Sequence, residues 1–169
     1  DIIAGRCEPA SGTVKRGATV VTGYADQQTT LLDPEAIVRK VVAGPTREPD
    51  WEDRALLERF WFDSTAQYAP VKMLSGGERR RLQLVMVLAT KPRLMLLDEP
   101  VAGMGVEESQ RMVQFLARFK GKQTILLVEH DMDAVFSLAD TVTVLAHGRV
   151  IASGKPEAIR SDPIVRASY

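Results

Sequence analysis

The segment LSGGERRRLQLVMVLATKPRLMLLDEP, residues 74–100, contains the patterns that decide the fold of this chain. It begins with a serine and two glycines, continues with helical periodicity over residues 76–90, and ends in an apolar run followed by Asp98 and Glu99. A helix that is apolar nearly all round packs against a sheet. A continuously apolar strand is typical of a parallel sheet covered on both faces. The segment therefore predicts an α/β fold.

The apolar strand pattern of residues 94–97 recurs at residues 124–128, after an amphipathic helix predicted over residues 107–119,. Two buried strands joined by a helix form a βαβ unit with a right-handed crossover. A further strand is predicted at residues 19–24, where β-branched residues are frequent,. In a chain of 169 residues we expect one hydrophobic core,.

Helices are also predicted from Pro34 to the Gly44-Pro45 stop and over residues 51–61,. A hairpin is predicted with its turn at His147-Gly148, followed by two short helices in the tail,.

Composition excludes several classes of protein. The 22 basic residues balance the 22 acidic ones, so no overall charge attracts nucleic acid, and we expect no direct DNA partner,. The single cysteine, Cys7, excludes an internal disulfide, which fits a reducing compartment,. No apolar run approaches the roughly 18 residues needed to span a bilayer. We therefore expect a cytoplasmic protein that does not insert itself into a membrane.

Polar residues follow the two apolar strands where ligands bind in open α/β sheets. Asp98 and Glu99 follow the first, and Glu129, His130 and Asp131 follow the second. One carboxylate can hold magnesium and the next can orient or deprotonate a water molecule. The alternatives are a helix or turn cap for the acidic pair and a histidine satisfied at a strand end for His130.

Two further features have both a functional and a structural interpretation. Ser75, Gly76 and Gly77 open a helix, where backbone N–H groups can bind an anion,. The same residues followed by Glu78 also fit an N-cap with an acidic first turn. Gln27 lies just beyond a predicted strand end and is a weak candidate by itself.

Taken together and in this order, four motifs resemble those of the nucleotide-binding domain of the ATP-binding cassette (ABC) superfamily. They are the signature-like residues 74–78, the Walker B-like residues 94–98 with Glu99, Gln27 upstream and His130 downstream. The resemblance implies a P-loop NTPase-like parallel sheet flanked by helices. It implies one partial ABC ATPase domain over residues 1–169, with a small helical subdomain at about residues 30–74 and the signature helix, Walker B, H-loop and C-terminal part at residues 75–169.

The resemblance also implies a role for each motif. Asp98 serves Mg²⁺, Glu99 polarises the attacking water, and His130 contacts the γ-phosphate of ATP. Gln27 senses the metal and the water. The signature contacts the nucleotide of a second ABC domain through Ser75, Gly76, Gly77 and Glu78.

Two departures from the family pattern accompany these matches. No G-x-x-x-x-G-K-[ST] sequence occurs in the chain, so we expect the Walker A loop and the N-terminal strands to lie upstream,. We expect the intact protein to be an ATPase and this fragment alone to be inactive. Gly105 stands where the family's D-loop usually has an aspartate.

The two parts of the chain resemble different branches of the family. Residues 1–100 resemble ABC-F proteins, which act on ribosomes, and residues 101–169 resemble ATPase subunits of branched-chain amino-acid or urea importers. The favoured function is the energy-coupling ATPase of an amino-acid-type importer, docked on a membrane permease and peripheral at the inner face of the cell membrane. The alternatives are an ABC-F ribosome-associated ATPase and a degenerate cassette that serves as a dimer partner.

Overall fold

A parallel three-stranded sheet lies at the centre of the fold, in a computed structural model that describes residues 1–26 and 32–168. The sheet has the order β1-β2-β3 and is accompanied by a two-stranded hairpin, β4-β5. The strands are β1 (Thr22–Ala25), β2 (Leu94–Asp98), β3 (Thr124–Val128), β4 (Val142–Ala146) and β5 (Arg149–Gly154). The helices are α1 (Val38–Ala43), α2 (Trp51–Arg59), α3 (Ser64–Tyr68), α4 (Gly76–Ala89), α5 (Val106–Ala117), α6 (Met132–Leu138), α7 (Pro156–Ser161) and α8 (Pro163–Ala167). The predicted α/β fold is confirmed.

The register of the central sheet places the polar strand ends together. Leu94 of β2 is aligned with Thr22 of β1 on one side and with Thr124 of β3 on the other. The segment β2-α5-β3 is the predicted βαβ unit. Because the strands are parallel, their carboxyl ends meet at one edge, where Asp98 is aligned with Val128,.

Helix α4 lies against β1 at very short range. A Cβ atom on Gly23 would lie 2.5 Å from Cγ1 of Val87, so only glycine allows this approach,. The apolar side of the helix is buried, with Leu82 and Val85 fully inaccessible to solvent. The helix that the sequence predicts at residues 76–90 is therefore held by packing against the sheet.

The first helix begins later than the sequence predicts. Instead of starting at Pro34, α1 starts at Val38, because Ile37 is extended and forms an isolated bridge with Pro70. Asp33 caps the turn that precedes the helix, since its carboxylate accepts a hydrogen bond from the N–H of Glu35 at 3.0 Å. The predicted second helix is found, but ends at Arg59.

A buried carboxylate stabilises the start of α2. Asp53 accepts two hydrogen bonds from Arg47, at 2.5 and 2.6 Å, and a third from the N–H of Asp50 at 2.9 Å. The hydrogen bonds from Arg47 lower the pKa of Asp53, and those from Asp50 lower it further against the opposing effect of burial. The Asp53 side chain is only 3% exposed, so it depends on these partners,.

The stabilisation by Asp53 should depend on pH. A carboxyl group whose pKa is lower in the folded state contributes stability above its unfolded pKa of about 3.9, and this is lost as pH falls through the folded pKa. We expect Asp53→Asn to lower the free energy of unfolding at pH 7 by on the order of 1 kcal/mol and to remove this part of the acid dependence. Urea unfolding at pH 7 and below pH 4 measures both, with Asp140→Asn as the exposed control; equal losses in the two variants would contradict the prediction.

The third strand is less buried than its apolar sequence predicts. Leu126 and Val128 of β3 are 46% and 56% exposed, so β3 is not covered on both faces. Among the described residues β3 pairs only with β2, and its other edge borders a groove of about 730 Å³. Val142 and Val144 of β4 also line the groove. The expectation of a doubly covered strand is therefore wrong for β3.

The groove lies beside a second hydrophobic cluster, so the expectation of one core is also wrong. The main cluster packs α1, α2, α4 and α5 around β1 and β2, with Phe60, Leu82, Met95 and Met112 fully or almost fully buried. The smaller cluster joins the hairpin to the tail helices through Val142, Val144, Ile159 and Val165.

Two turns of the chain contain residues with positive φ. His147 and Gly148 have φ values of 49° and 74°, which matches the predicted two-residue hairpin turn,. Gly5 has φ 80°, and the hydrogen bonds from Gly5 N to Ile2 O and from Arg6 N to Asp1 O are those of a helix-ending Schellman motif,. Within the described part of the chain, no helix combines the length and apolar character required to cross a bilayer.

Candidate active site

The predicted acidic pair lies at the carboxyl edge of the central sheet. Asp98 is the last residue of β2, and Glu99 follows it with a left-handed φ of 49°. The N–H of Glu99 still donates to the carbonyl of Val128, at 2.8 Å, so the backbone turns away only after that bond. A non-glycine residue in this conformation is strained and persists only where its surroundings fix it.

The structure brings Glu99 and His130 together. Nδ1 of His130 lies 3.3 Å from Oε1 of Glu99, although the two residues are 31 positions apart in the chain. The histidine side chain is 73% exposed and the glutamate side chain 24% exposed. The pair therefore faces solvent at the strand ends, where a carboxylate can orient a water molecule and an imidazole can contact an anion.

Glu129 belongs to this site, although sequence reasoning assigned it no role there. Its side chain is only 1% exposed. One carboxylate oxygen accepts the N–H of Val101 at 3.1 Å, and the other accepts the N–H groups of His130 and Asp131 at 3.1 and 3.3 Å. The signal in the sequence was a charged residue directly after an apolar strand. Only the tertiary structure shows that the Glu129 side chain is buried.

The signature-like residues form a reciprocal cap at the start of α4. The Ser75 hydroxyl accepts the N–H of Glu78 at 3.2 Å, and the Glu78 carboxylate accepts the N–H of Ser75 at 2.8 Å. The N-cap interpretation is therefore correct for Ser75 and Glu78. Gly76 remains open, since no atom lies within 4 Å of a Cβ placed there. The cap leaves an accessible helix N-terminus of the kind that binds anions.

Arg81 connects this helix start to two neighbouring segments. Its Nε lies 3.0 Å from the carboxylate of Glu108 in α5, and its guanidinium lies over the rings of Trp61 and Phe62 at 5.7 and 5.3 Å. Gly77 faces the same carboxylate, since a Cβ there would lie 3.1 Å from Glu108. The start of α4 is thus fixed to α5 and to the end of α2.

Gln27 lies outside the described residues, and its neighbour Asp26 is the last described residue before it. The Asp26 carboxylate is almost fully buried and accepts hydrogen bonds from Gln83 at 2.7 Å and Arg6 at 3.1 Å. Its carbonyl accepts a hydrogen bond from Arg80. The end of β1 is therefore fixed to α4.

The residues present fit a magnesium ion that is shared with phosphate. Mg²⁺ usually takes one or two protein carboxylates and fills its other positions with water and phosphate oxygens. Across residues 1–26 and 32–168, no three His, Cys, Asp or Glu side chains cluster to hold a metal by themselves. Asp98 at the sheet edge could supply one such carboxylate. Burial raises the pKa of the nearby Tyr24, and the negative charge of Asp98 raises it further.

Gly105, at the D-loop position, allows a test of helix capping by substitution. Gly105 is the N-cap of α5, with φ −71° and ψ 164°, and a Cβ placed there would meet no atom within 4 Å. An aspartate at this position can accept the first N–H groups of the helix, so we expect Gly105→Asp to raise the free energy of unfolding by a few tenths of a kcal/mol. Gly103→Asp is the matched control, because φ 75° at that position makes it destabilising by about 1 kcal/mol,. Thermal unfolding should show opposite shifts; shifts of the same sign would contradict the cap.

Sequence comparison identifies the family of this arrangement. The family described as "ABC transporter" matches residues 1–102, which is more than half of the chain. The chain belongs to the ABC transporter family. A second family, "Branched-chain amino acid ATP-binding cassette transporter", matches residues 149–169.

Individual ABC proteins show the same likeness. The branched-chain amino acid transport ATP-binding protein BraF of Pseudomonas aeruginosa is 38% identical over 98 residues, which are 57% of this chain and 38% of BraF. The energy-coupling factor transporter ATP-binding protein EcfA2 of Lacticaseibacillus paracasei is 47% identical over 93 residues, or 53% of this chain and 32% of EcfA2. The chain therefore aligns with well under half the length of these ABC relatives.

A solved ABC structure has the same fold. The ATP-binding cassette MJ0796, a dimer in a post-hydrolysis state bound to ADP and phosphate, superposes with a TM-score of 0.68. The alignment covers 81% of this chain and 63% of MJ0796, at 19% identity. Because the identity is low, the match shows the fold alone, which is that of the ABC ATPase cassettes.

Proposed function

We propose that the intact protein is the ATP-hydrolysing subunit of an ABC importer for amino-acid-type substrates. The observation that carries the catalytic part is the 3.3 Å approach of His130 Nδ1 to Glu99 Oε1 at the carboxyl edge of the sheet. The match of residues 149–169 to branched-chain amino acid cassettes supports the importer part, together with the likeness to BraF.

Each residue at the sheet edge has a separate role in ATP hydrolysis. Asp98 would hold Mg²⁺, whose charge would stabilise the phosphate oxygens of ATP. Glu99 orients a water molecule and takes its proton as the water oxygen bonds to the γ-phosphorus. The bond from that phosphorus to the bridging oxygen of ADP breaks, and ADP and phosphate result. His130 contacts the γ-phosphate, and Gln27 acts at the metal and the water.

The signature residues serve the other half of a composite site. Ser75, Gly76, Gly77 and Glu78 contact nucleotide held by a second ABC domain, so that MgATP joins two domains. The open N-terminus of α4 at Gly76 supports this role, since its backbone N–H groups suit a phosphate,. Closure of the two domains around ATP drives the conformational change that a permease uses.

The binding partner distinguishes an importer subunit from an ABC-F protein, and ATP turnover distinguishes it from a degenerate cassette. We expect the intact protein, isolated from its own cell extract, to carry a membrane permease subunit and to hydrolyse ATP. Affinity purification from detergent-solubilised membranes and sedimentation with ribosomes are the two measurements. Co-sedimentation with ribosomes without a permease would favour the ABC-F function instead. A permease complex in which ATP turnover persists unchanged when Asp98, Glu99 and His130 are all replaced would favour the degenerate cassette.

A further inference from the structure

Glu129 is a buried carboxylate behind the Glu99–His130 pair. Its side chain is 1% exposed, and its two oxygens accept three backbone N–H groups at 3.1 to 3.3 Å. Burial of a carboxylate is costly unless hydrogen bonds replace its hydration. The three N–H groups come from two separate loops, so their positions are fixed relative to each other by this side chain.

One oxygen of Glu129 serves the loop that contains Glu99. The segment from Glu99 to Ala102 is a turn closed by a hydrogen bond from Ala102 N to Glu99 O at 3.1 Å. The N–H of Val101 lies inside this turn and donates instead to Oε1 of Glu129. The hydrogen bond thus holds the turn whose first residue, Glu99, has the strained φ of 49°,.

The other oxygen of Glu129 serves the loop that contains His130. Oε2 accepts the N–H groups of His130 and Asp131, which orients the backbone from which the imidazole projects. The side chains of Glu99 and His130 then meet at 3.3 Å. A single buried carboxylate therefore lies behind both members of the pair.

We propose that Glu129 is a positioning residue for ATP hydrolysis, which holds the Glu99 turn and the His130 loop at the spacing that the reaction needs. The proposal rests on the proposed ATPase function. Glutamate suits this position because both of its oxygens are acceptors. A glutamine would direct its NH₂ group at one set of N–H donors and lose the hydrogen bonds to one of the two loops.

The test is made on the intact protein with Glu129→Gln, Glu129→Ala and the matched control Glu157→Gln, an exposed residue of α7. We expect Glu129→Gln to lower kcat by about 10- to 100-fold, since displacement of catalytic groups by about 1 Å costs this much, and Glu129→Ala to lower it further. KM for ATP and the affinity for a fluorescent ATP analogue should stay close to those of the wild type. Glu157→Gln should leave all of these values unchanged.

Two measurements distinguish a loss of stability from a loss of positioning in the Glu129 variants. Thermal unfolding gives the folded fraction, and kcat is expressed per bound nucleotide, so unfolded molecules do not count. Normal kcat per bound nucleotide in both Glu129 variants would overturn the proposal, as would a rise in KM with unchanged kcat. If the wild type itself shows no ATP hydrolysis, the proposed function fails. If the wild type is active, Glu99→Gln is inactive and both Glu129 variants are normal, only the role of Glu129 fails.

Discussion

Replacement of Glu99 by glutamine in the intact protein is expected to lower kcat for ATP hydrolysis by about 10²- to 10⁴-fold, the range typical for loss of a general base. Glutamine keeps the size and one acceptor oxygen of glutamate but cannot take a proton from water. KM for ATP should change little, because the proposed role of the carboxylate is at the water rather than at the phosphates. Steady-state phosphate release at several ATP concentrations measures both constants.

The control for this experiment is Glu107→Gln, the same change at an exposed residue in the first turn of α5. It should leave kcat unchanged. A Glu99→Gln variant with wild-type kcat would contradict the role of Glu99, and a rise in KM alone would mean that Glu99 serves binding instead. His130→Ala should also lower kcat, because the imidazole lies 3.3 Å from the Glu99 carboxylate.

The largest effect on stability is expected from Phe60→Ala. Phe60 is fully buried and meets the ring of Phe115 edge to face, with 4.4 Å between the centroids. Removal of a buried phenylalanine leaves a cavity and typically costs about 3 to 5 kcal/mol of unfolding free energy. Since Phe115 belongs to α5, the change should also loosen the contact between the end of α2 and α5. Urea unfolding of the intact protein measures the loss.

Trp51→Ala is the matched aromatic control for Phe60→Ala. Trp51 lies at the start of α2 but is 76% exposed, so its removal should cost less than about 1 kcal/mol,. Similar losses in the two variants would mean that burial in the core does not determine the contribution of Phe60.

Local patterns were sufficient for most of the fold. The serine, glycines and glutamate at residues 75–78 specify a reciprocal helix cap, which involves only residues within one turn of each other,. The apolar runs specify β2 and β3, and their parallel order follows from the helix between them,. Three polar residues of the candidate site, Asp98, Glu99 and His130, could be predicted because ligands bind at strand ends.

Errors in the predicted fold arose where distant segments interact. Ile37 pairs with Pro70, which delays α1, and this contact between residues 33 positions apart has no local signal. The apolar sequence of β3 does not show that one edge of the strand borders a groove. The second hydrophobic cluster likewise depends on contacts between the hairpin and the tail helices, which no local pattern shows.

The sequence by itself determined the α/β class, the parallel strand pair and the identity of the acidic pair and the histidine, because these depend on residue type and short-range periodicity. Only the tertiary structure decided that Glu99 and His130 lie 3.3 Å apart and that Glu129 is buried behind them. The physical reason is that the alignment of β2 with β3 brings two loops together, and the N–H groups left free by their turns then need an acceptor,. Glu129 supplies that acceptor.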